Sequence, residues 1–460
     1  MKEGPTRSWQ SRGRASRLAK RFAAPAVLAV LAAVATVVSS AAPPAKERIV
    51  VPKTLSAGRA APLLIGVGTH FGIGGEYNYQ IGESARLIDE LGFDSFRDDL
   101  DWPAFQDAKG AFPGRLGQFM AATKARPLLI LTAGNRRIEG ANPPVTPGGR
   151  TAYASFAAQV AATPQGDRAL LELGNEWNLR AVMGRAALAD AGRIEDPRAA
   201  GNYIPLARAA IAAAGAANPR ATVLYGAAGT DPQWLWLGAV AAGLKRQRAG
   251  LSVHYYNHCK PAADRTASEA IGEMQRLRET LGRTAGTAPD LYITEIGWPT
   301  ATSCRISREQ SADNLAQFLL WSMATPWVRG VWIYQLKDQG LKTDDIEDNF
   351  GLYDYNYKPK PSACLVKESI GLSRAMRRSR VAYRSPRITV LDYAGADGRK
   401  LIAWTNEPAA VATLRPTGQS VESRPLCGTG AKAATVSITN TPTVIAVAQP
   451  AADMAFEAEF

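Results

Sequence analysis

The sequence predicts an α/β fold: a (β/α)8 barrel followed by a C-terminal β-sandwich. Eight strand-like apolar runs alternate with eight helical patterns over about 315 residues, the order typical of such a barrel. After residue 378 the pattern changes to short strands separated by Gly, Pro, Asn and Ser. A doubly wound sheet alternates in the same way, but the glycines between Gly66 and Gly75 lack the spacing of a dinucleotide-binding loop. We therefore expect a closed barrel.

The elements follow in order from apolar runs and helical periodicity. Predicted barrel strands occupy 63–69, 93–97, 127–132, 169–173, 221–225, 251–255, 291–295 and 330–334. Predicted helices occupy 81–91, 116–125, 152–162, 203–216, 232–247, 268–281, 308–324 and 362–377. The sandwich is predicted from alternating runs at 388–392, 401–405, 410–414, 435–438 and 443–448.

The N-terminal segment, residues 1–42, has the pattern of an export signal. A basic region precedes an apolar run over 22–38, and Ser39-Ser40-Ala41 fits a small-residue cleavage site. An apolar run of about 17 residues is also near the lower limit for crossing a bilayer, so an uncleaved inner-membrane anchor is the alternative. Either interpretation places the bulk of the chain outside the cytoplasm. We expect a linker over 43–60, the barrel over 61–378 and the sandwich over 379–460.

Composition limits the classes of partner. A hydrophobic fraction of 46% and a charged fraction of 21% exclude wholesale disorder. The net charge is +13, of which residues 1–42 contribute +6 and the remainder +7. That surplus fits either an acidic partner or a solvated surface. No base-stacking motif accompanies it, so we expect no nucleic acid partner. We expect a monomer.

Four cysteines fit an oxidising compartment, and three pairings are possible. Cys259 and Cys304 follow two strands that are neighbours in the predicted barrel, so we expect them to pair. Cys364 and Cys427 would then join the last barrel helix to the C-terminal domain.

Two glutamates follow predicted strands in apolar surroundings. Glu295 ends the strand that begins at Leu291, and Glu176 lies in Asn175-Glu176-Trp177-Asn178 after the fourth strand. A carboxylate there is costly unless it is paired or functional. The C-terminal strand ends of a barrel meet at one face, where active sites lie. Other polar and aromatic residues share this face, and we expect substrate binding from His70, Arg97, Asn135, Asn175, His254, Tyr256, Trp298, Trp332 and Tyr334.

Single residues in this set also have structural explanations, such as core packing or a satisfied ion pair. Glu172 lies about 13 Å below Glu176 along the strand and is interpreted as structural. His254 and His258 are equally far apart on a strand, so we expect no metal site. Basic residues on loops at the barrel mouth would either bind an anionic polysaccharide or remain solvated. They are Arg136, Arg137, Lys260, Lys337 and Lys342.

These segments resemble retaining glycoside hydrolases of clan A, most closely the family 39-like bacterial endoglycosidases of exopolysaccharide gene clusters. The likeness covers about residues 62–365. It is carried by His70-Phe71, Arg97 with Trp102, Asn135 through Pro143-Pro144 to Phe156-Ala157, Asn175-Glu176-x-Asn178, Ser252-Val253-His254-x-Tyr256, Thr294-Glu295-x-Gly297-Trp298, Phe350-Gly351-Leu352 and Lys358-Pro359-Lys360-Pro361. One departure is Trp177, where the family commonly has proline.

The resemblance implies that Glu176 is the acid/base and Glu295 the nucleophile, with no cofactor. Retention requires the two carboxyl groups to lie about 5–5.5 Å apart. Arg97 and Tyr256 would keep Glu295 ionised, and Asn175 would bind the sugar 2-hydroxyl. Trp298, Trp332 and Tyr334 would offer flat faces to sugar rings.

The sequence thus predicts an exported, retaining, endo-acting β-glycosidase that hydrolyses a bacterial exopolysaccharide. One alternative is a transglycosylase of the same fold, in which a sugar replaces water as the acceptor. The other is a non-catalytic polysaccharide-binding or scaffold protein. A binding protein gains nothing from two desolvated carboxylic acids, which argues against the last of these.

Overall fold

The computed structural model describes residues 46–55, 62–73, 77–139, 144–179, 196–229, 232–286, 288–396, 398–416, 420–447 and 453–460. The predicted export signal or anchor, residues 1–42, lies outside these ranges. Among the helices within them, none has both the length and the apolar character needed to cross a bilayer.

A closed barrel of eight parallel strands forms the larger part of the described chain. After an N-terminal strand β1 (Lys46–Val51), the barrel strands are β2 (Leu64–Gly68), β3 (Ser95–Leu100), β4 (Arg126–Leu131), β5 (Leu170–Leu173), β6 (Thr222–Ala228), β7 (Gly250–Tyr255), β8 (Leu291–Ile296) and β9 (Val328–Ile333). Each strand pairs with the next, and β9 closes the barrel on β2. The predicted fold class is confirmed.

The helices are α1 (Ile81–Leu91), α2 (Trp102–Asp107), α3 (Gly114–Ala122), α4 (Arg136–Glu139), α5 (Pro147–Ala161), α6 (Tyr203–Ala217), α7 (Leu235–Leu244), α8 (Ala267–Ala285), α9 (Arg308–Met323) and α10 (Pro361–Ala375). Short 3-10 turns occupy Pro197–Ala200, Pro232–Trp234, Ala262–Asp264 and Glu347–Asn349. Local signals explain the boundaries: α1 ends at Gly92 with φ 82°, and α8 begins after the Thr266 cap. The helix predicted over 232–247 begins only at Leu235, because Gln233 and Trp234 both have φ 56°.

The barrel strands are apolar because both of their faces are covered. In β4, five of the six residues are buried. The lower interior is filled by Leu128, Leu170, Leu224 and Trp332, with Leu64 and Tyr292 packed against them. Gly66 leaves the space for the Trp332 ring, since a Cβ there would lie 2.2 Å from it. This apolar plug forms a floor beneath the polar C-terminal face.

The C-terminal region forms two antiparallel sheets that share a core. Its further strands are β10 (Met376–Arg384), β11 (Ile388–Gly395), β12 (Gly398–Thr405), β13 (Ala412–Pro416), β14 (Val421–Pro425), β15 (Ala431–Ala433), β16 (Val436–Ile438), β17 (Thr443–Val447) and β18 (Met454–Glu459). One sheet has the order β1-β18-β13-β16 and the other β10-β11-β12-β17-β14-β15. Buried side chains from both sheets, such as Val390 and Phe456, form one cluster.

The linker predicted over 43–60 is wrong for residues 46–51. These residues form β1, which pairs antiparallel with β18 from Lys46↔Glu459 to Val51↔Met454. Ile49 and Val51 alternate with exposed residues and enter the sandwich core, which explains why the segment is a strand. The sandwich therefore includes a strand that precedes the barrel in sequence.

Both predicted disulfide bonds are present, Cys259–Cys304 and Cys364–Cys427. The first joins the segments that follow β7 and β8. The second joins α10 of the barrel to the turn after β14 of the sandwich. Gln317 on α9 also donates to the Asn440 carbonyl at 2.7 Å, so the barrel and the sandwich are in direct contact.

Candidate active site

Glu295 lies near the C-terminal end of β8 and is almost completely buried. Its Oε1 accepts a hydrogen bond from Arg97 Nη1 at 2.5 Å, and its Oε2 accepts one from the Tyr256 hydroxyl at 2.6 Å. Burial by itself raises the pKa of this carboxyl. The charges of His254 and Arg97 and the hydrogen bonds from Tyr256 and Arg97 outweigh burial, so the pKa lies below its ordinary value. Glu295 is therefore held as an anion.

Arg97, on β3, connects the polar groups at the barrel mouth. Its Nε donates to Glu172 Oε2 at 2.7 Å, and its Nη2 donates to Asn175 Oδ1 at 2.7 Å. With the bond to Glu295, these contacts use all three guanidinium nitrogens and fix the plane of the group. Glu172, interpreted from sequence as structural, is completely buried beneath Arg97 and orients it.

Glu176 lies on a tight turn after β5 that directs its side chain into the barrel mouth. Gly174 has φ 79° and Glu176 itself has φ 46°, an uncommon conformation for a non-glycine residue. The Glu176 amide donates to the Ala227 carbonyl at 2.7 Å. A Cβ at Gly229 would lie 2.9 Å from Glu176 Oε1, so a glycine there leaves space for the carboxylate.

The two residues after Glu176 anchor this turn. Trp177, the departure from the family pattern, is completely buried, and its ring centroid lies 5.1 Å from that of Tyr203. The Asn178 side chain exchanges two hydrogen bonds with the backbone of Gly229, at 2.9 and 3.1 Å. Tryptophan thus supports the turn by packing against α6.

The two candidate carboxylates lie close together. An oxygen of Glu176, an oxygen of Glu295 and a ring nitrogen of His254 all lie within 4.8 Å of one another. His254 Nδ1 is 3.2 Å from Glu176 Oε1 and 3.5 Å from Glu295 Oε2, and its Nε2 is 3.2 Å from Arg97 Nη2. Carboxyl groups in such close approach suit direct attack by one and proton donation by the other.

Both carboxylates open into a cavity of about 580 Å³, here called the main chamber. A neighbouring side chamber of about 550 Å³ extends it. Asp99, Ile130 and Asn175 line both, so the two form one groove across the C-terminal face. Each chamber has a volume typical of small-molecule sites.

The predicted residues His70, Arg97, Asn175, Tyr256 and Tyr334 line the main chamber. Burial lowers the pKa of His70. Tyr334 donates to Glu347 Oε2 at 3.2 Å and accepts from Gln339 Nε2 at 2.7 Å. Asn135 is nearly buried, donates to Gln106 Oε1 at 2.8 Å and lines the side chamber instead.

Three residues predicted to bind substrate are positioned otherwise. Trp298 is buried beside Phe318 and donates to Asn257 Oδ1 at 2.8 Å. Trp332 belongs to the barrel floor and donates to Ser95 Oγ at 3.0 Å. Both rings are buried, so neither is available to a sugar. Strand alternation predicts that Trp332 points into the barrel, but it does not give the depth at which the side chain lies. His254 is also completely buried, and it contacts the two carboxylates from behind.

Lys337, predicted as a loop base at the mouth, is buried as well. It donates to the carbonyls of Tyr77 and Asp338 at 2.7 and 2.8 Å, and burial lowers its pKa to about 8. Arg137 is exposed and forms an ion pair with Asp107 at 2.5 Å.

The predicted substrate-binding set left out several polar residues that line the main chamber, among them Asp99, His258, Gln339 and Glu347. Asp99 follows Arg97 by two residues on β3 and shares its inward face, a signal that the sequence contained. Glu347 lies in a 3-10 turn of a loop, where no periodic pattern indicates direction.

No protein-family model and no curated protein matches the sequence. Similar solved structures include a family 39 glycoside hydrolase from the gut symbiont Bacteroides cellulosilyticus WH2, with 22% identity, TM-score 0.67 and coverage of 84% of this chain and 81% of that one. A GH39 β-xylosidase from Caulobacter crescentus has 15% identity, TM-score 0.56 and coverage of 87% and 99%. GH5_18 from Streptomyces cattleya, in complex with GlcNAc, has 20% identity, TM-score 0.51 and coverage of 69% and 81%.

These similarities establish the fold, which is the fold that the resemblance in the sequence implied. The chain has the (β/α)8 architecture of glycoside hydrolases of families 39 and 5. Its C-terminal barrel face holds a pair of closely spaced carboxylates on β8 and after β5.

Proposed function

We propose that the protein is a retaining glycoside hydrolase, with Glu176 as acid/base and Glu295 as nucleophile. The observation that carries this proposal is that one carboxylate oxygen of Glu176 lies within 4.8 Å of one of Glu295, at the mouth of a closed barrel. The lowered pKa of Glu295 supports the role of nucleophile. The fold shared with glycoside hydrolases of families 39 and 5 supports the same class of reaction.

In the first step, Glu295 attacks the anomeric carbon while Glu176 donates a proton to the departing glycosidic oxygen. A covalent glycosyl-enzyme ester forms and the first sugar leaves as an alcohol. In the second step, Glu176 removes a proton from water, whose oxygen attacks the anomeric carbon and releases Glu295. Arg97 and Tyr256 stabilise the Glu295 anion before attack and after release. Asn175 lines the groove beside both carboxylates, where a sugar 2-hydroxyl would lie.

The substrate we propose is a bacterial exopolysaccharide, cleaved within the chain. The support for internal cleavage is the continuous groove, because its two chambers accommodate sugars on both sides of Asn175. The two disulfide bonds fit an oxidising compartment, and we propose that the protein acts in the periplasm or outside the cell.

The test is an assay of wild type, Glu176→Gln and Glu295→Gln on a panel of defined exopolysaccharides. We expect release of reducing ends by wild type, a loss of about 10²–10⁴-fold for Glu176→Gln, and a larger loss for Glu295→Gln. Equal, negligible release by all three with retained polymer binding would identify a non-catalytic binding protein.

The stereochemistry is tested separately. Proton NMR should detect the retained anomer first, and a first product with the inverted anomer would rule out this mechanism. Accumulation of longer oligosaccharides instead of reducing ends would indicate transglycosylation.

A further inference from the structure

Asp99 is a carboxyl group in the groove that the proposed mechanism does not use. It lies on β3 above Arg97 and lines both chambers where they meet. Among the described residues, none donates a hydrogen bond to this carboxyl. The adjacent Asp98, in contrast, is completely buried and accepts from the amides of Phe71 and Gly72 and from Thr69 Oγ1. Asp98 is thus structural, whereas Asp99 is open to a ligand.

The main chamber around Asp99 has an excess of acidic groups. Its described charged lining consists of one guanidinium and four carboxyl groups, namely Arg97, Asp99, Glu176, Glu295 and Glu347. Arg97 already donates to protein partners from all three of its nitrogens. Burial lowers the pKa of both histidines in the lining, to about 4 for His258, so they supply no positive charge at neutral pH.

The side chamber does not reverse this balance at the junction. Asp101 there accepts from the Ala104 amide, and the Arg137 charge is paired with Asp107. Arg136 is the remaining base among the described lining residues. Although the whole chain has a positive net charge, the region next to Asp99 where a sugar would bind is therefore not positively charged.

We propose that Asp99 determines specificity by accepting a hydrogen bond from a sugar hydroxyl or amino group at the junction and by excluding uronic acids. This inference rests on the proposed function, because it assumes that the groove binds a glycan. A hydroxyl or a primary ammonium supplies the donor that the free carboxylate lacks. A sugar carboxylate at the same position would be repelled by Asp99 and by the carboxylates beside it. The cleaved segment is accordingly neutral or cationic.

Binding to the Glu176→Gln variant tests the proposal, since this variant slows hydrolysis strongly and keeps Glu295 charged. The probes are three β-1,4-linked tetramers of the same ring geometry: glucose, glucosamine and glucuronic acid. Calorimetry at about pH 8 keeps Asp99 ionised, because burial and neighbouring carboxylates raise its pKa to about 7. We expect the neutral and amino tetramers to bind at least about tenfold more tightly than the uronate.

The second variant, Asp99→Asn on the same background, preserves shape and removes the charge. It should reduce the preference for the neutral and amino tetramers over the uronate by about tenfold. Glu347→Gln is the matched control, because it removes a charge from the main chamber but not from the junction. Tighter binding of the amino tetramer than of the neutral one would identify an amino group as the preferred donor, and equal binding a hydroxyl.

The proposal is overturned if Asp99→Asn leaves the preference unchanged, if Glu347→Gln changes it equally, or if none of the tetramers binds. These outcomes are distinct from failure of the proposed function. Loss of the preference in Asp99→Asn, in a protein whose wild type releases no reducing ends, would contradict the hydrolase and not Asp99. Hydrolysis of polyuronates by wild type would contradict Asp99 and not the hydrolase.

Discussion

The hydroxyl of Tyr256 donates to the candidate nucleophile and contributes to the lowered pKa of Glu295. Because the pKa of Glu295 lies below the ordinary value of 4.5, the carboxylate remains ionised until the pH falls to that lowered pKa. The acidic limb of kcat/KM should therefore lie below about pH 4.5 in wild type. In Tyr256→Phe one donor to the anion is lost, the pKa rises, and the limb should move to higher pH.

Tyr255→Phe is the control for this pH profile. The Tyr255 hydroxyl donates to Glu269, outside the groove, so its removal should leave the acidic limb in place. An unchanged limb in Tyr256→Phe would show that this hydrogen bond does not set the ionisation of Glu295.

Arg97 compensates two buried carboxylates, and its loss should reduce stability as well as activity. In Arg97→Met, Glu172 and Glu295 would remain buried without their common partner, at a cost of about 3–5 kcal/mol in the free energy of unfolding. Urea denaturation at neutral pH measures it. Arg137→Met removes an exposed ion pair of similar geometry and should change stability little. Equal effects of the two substitutions would contradict the role given to burial.

At the residue level, the sequence located both carboxylates because a glutamate that ends an apolar strand is conspicuous. The same reasoning was wrong for Trp298 and Trp332, since a buried and a sugar-facing tryptophan have the same sequence pattern. The role of His254 was also mistaken. His254 is completely buried and contacts the carboxylates of Glu176 and Glu295. Residue spacing in the sequence does not show that a side chain is covered in this way.

At the level of elements, the two disulfide bonds close chain segments of similar length but lie at different places. Cys259–Cys304 and Cys364–Cys427 span 45 and 63 residues, so each should contribute about 2–4 kcal/mol by restricting the unfolded chain. Only the first joins the segments after β7 and β8. Replacing both of its cysteines by serine should therefore reduce kcat/KM more than the same change in the second pair.

Thermal unfolding of the two double variants provides the comparison for these activities. Similar melting temperatures with unequal kcat/KM would support a local effect of Cys259–Cys304 on the groove. Activities that fall in parallel with stability in both variants would exclude it.

The barrel elements were predictable because parallel strands covered on both faces are apolar along their length, as in β4. Strand β1 was not, because Lys46, Glu47 and Arg48 precede Ile49 and its pairing partner lies about 400 residues further along the chain. The turn at Gln233 and Trp234 was missed for a related reason: positive φ at two bulky residues is imposed by packing and has no local signal.

At the level of the whole molecule, β1 joins a segment before the barrel to the sandwich after it. Ile49→Ala should destabilise the protein by about 2–5 kcal/mol, because the side chain is completely buried in the sandwich core. Val50→Ala, on the exposed face of the same strand, should change the free energy of unfolding by less than about 0.5 kcal/mol. Chemical denaturation of both variants measures the difference, and equal values would argue against a structural role for β1.

The pairing of β1 with β18 also has a consequence for biosynthesis. Residues 46–51 emerge from the ribosome long before residues 454–459, so β1 has no partner in its sheet until nearly the whole described chain has been made. During that interval β1 and the neighbouring face are open to pairing with other chains. Completion of the sandwich therefore requires residues 454–459, and a product truncated before them would retain an unpaired strand edge that folding chaperones and proteases can recognise.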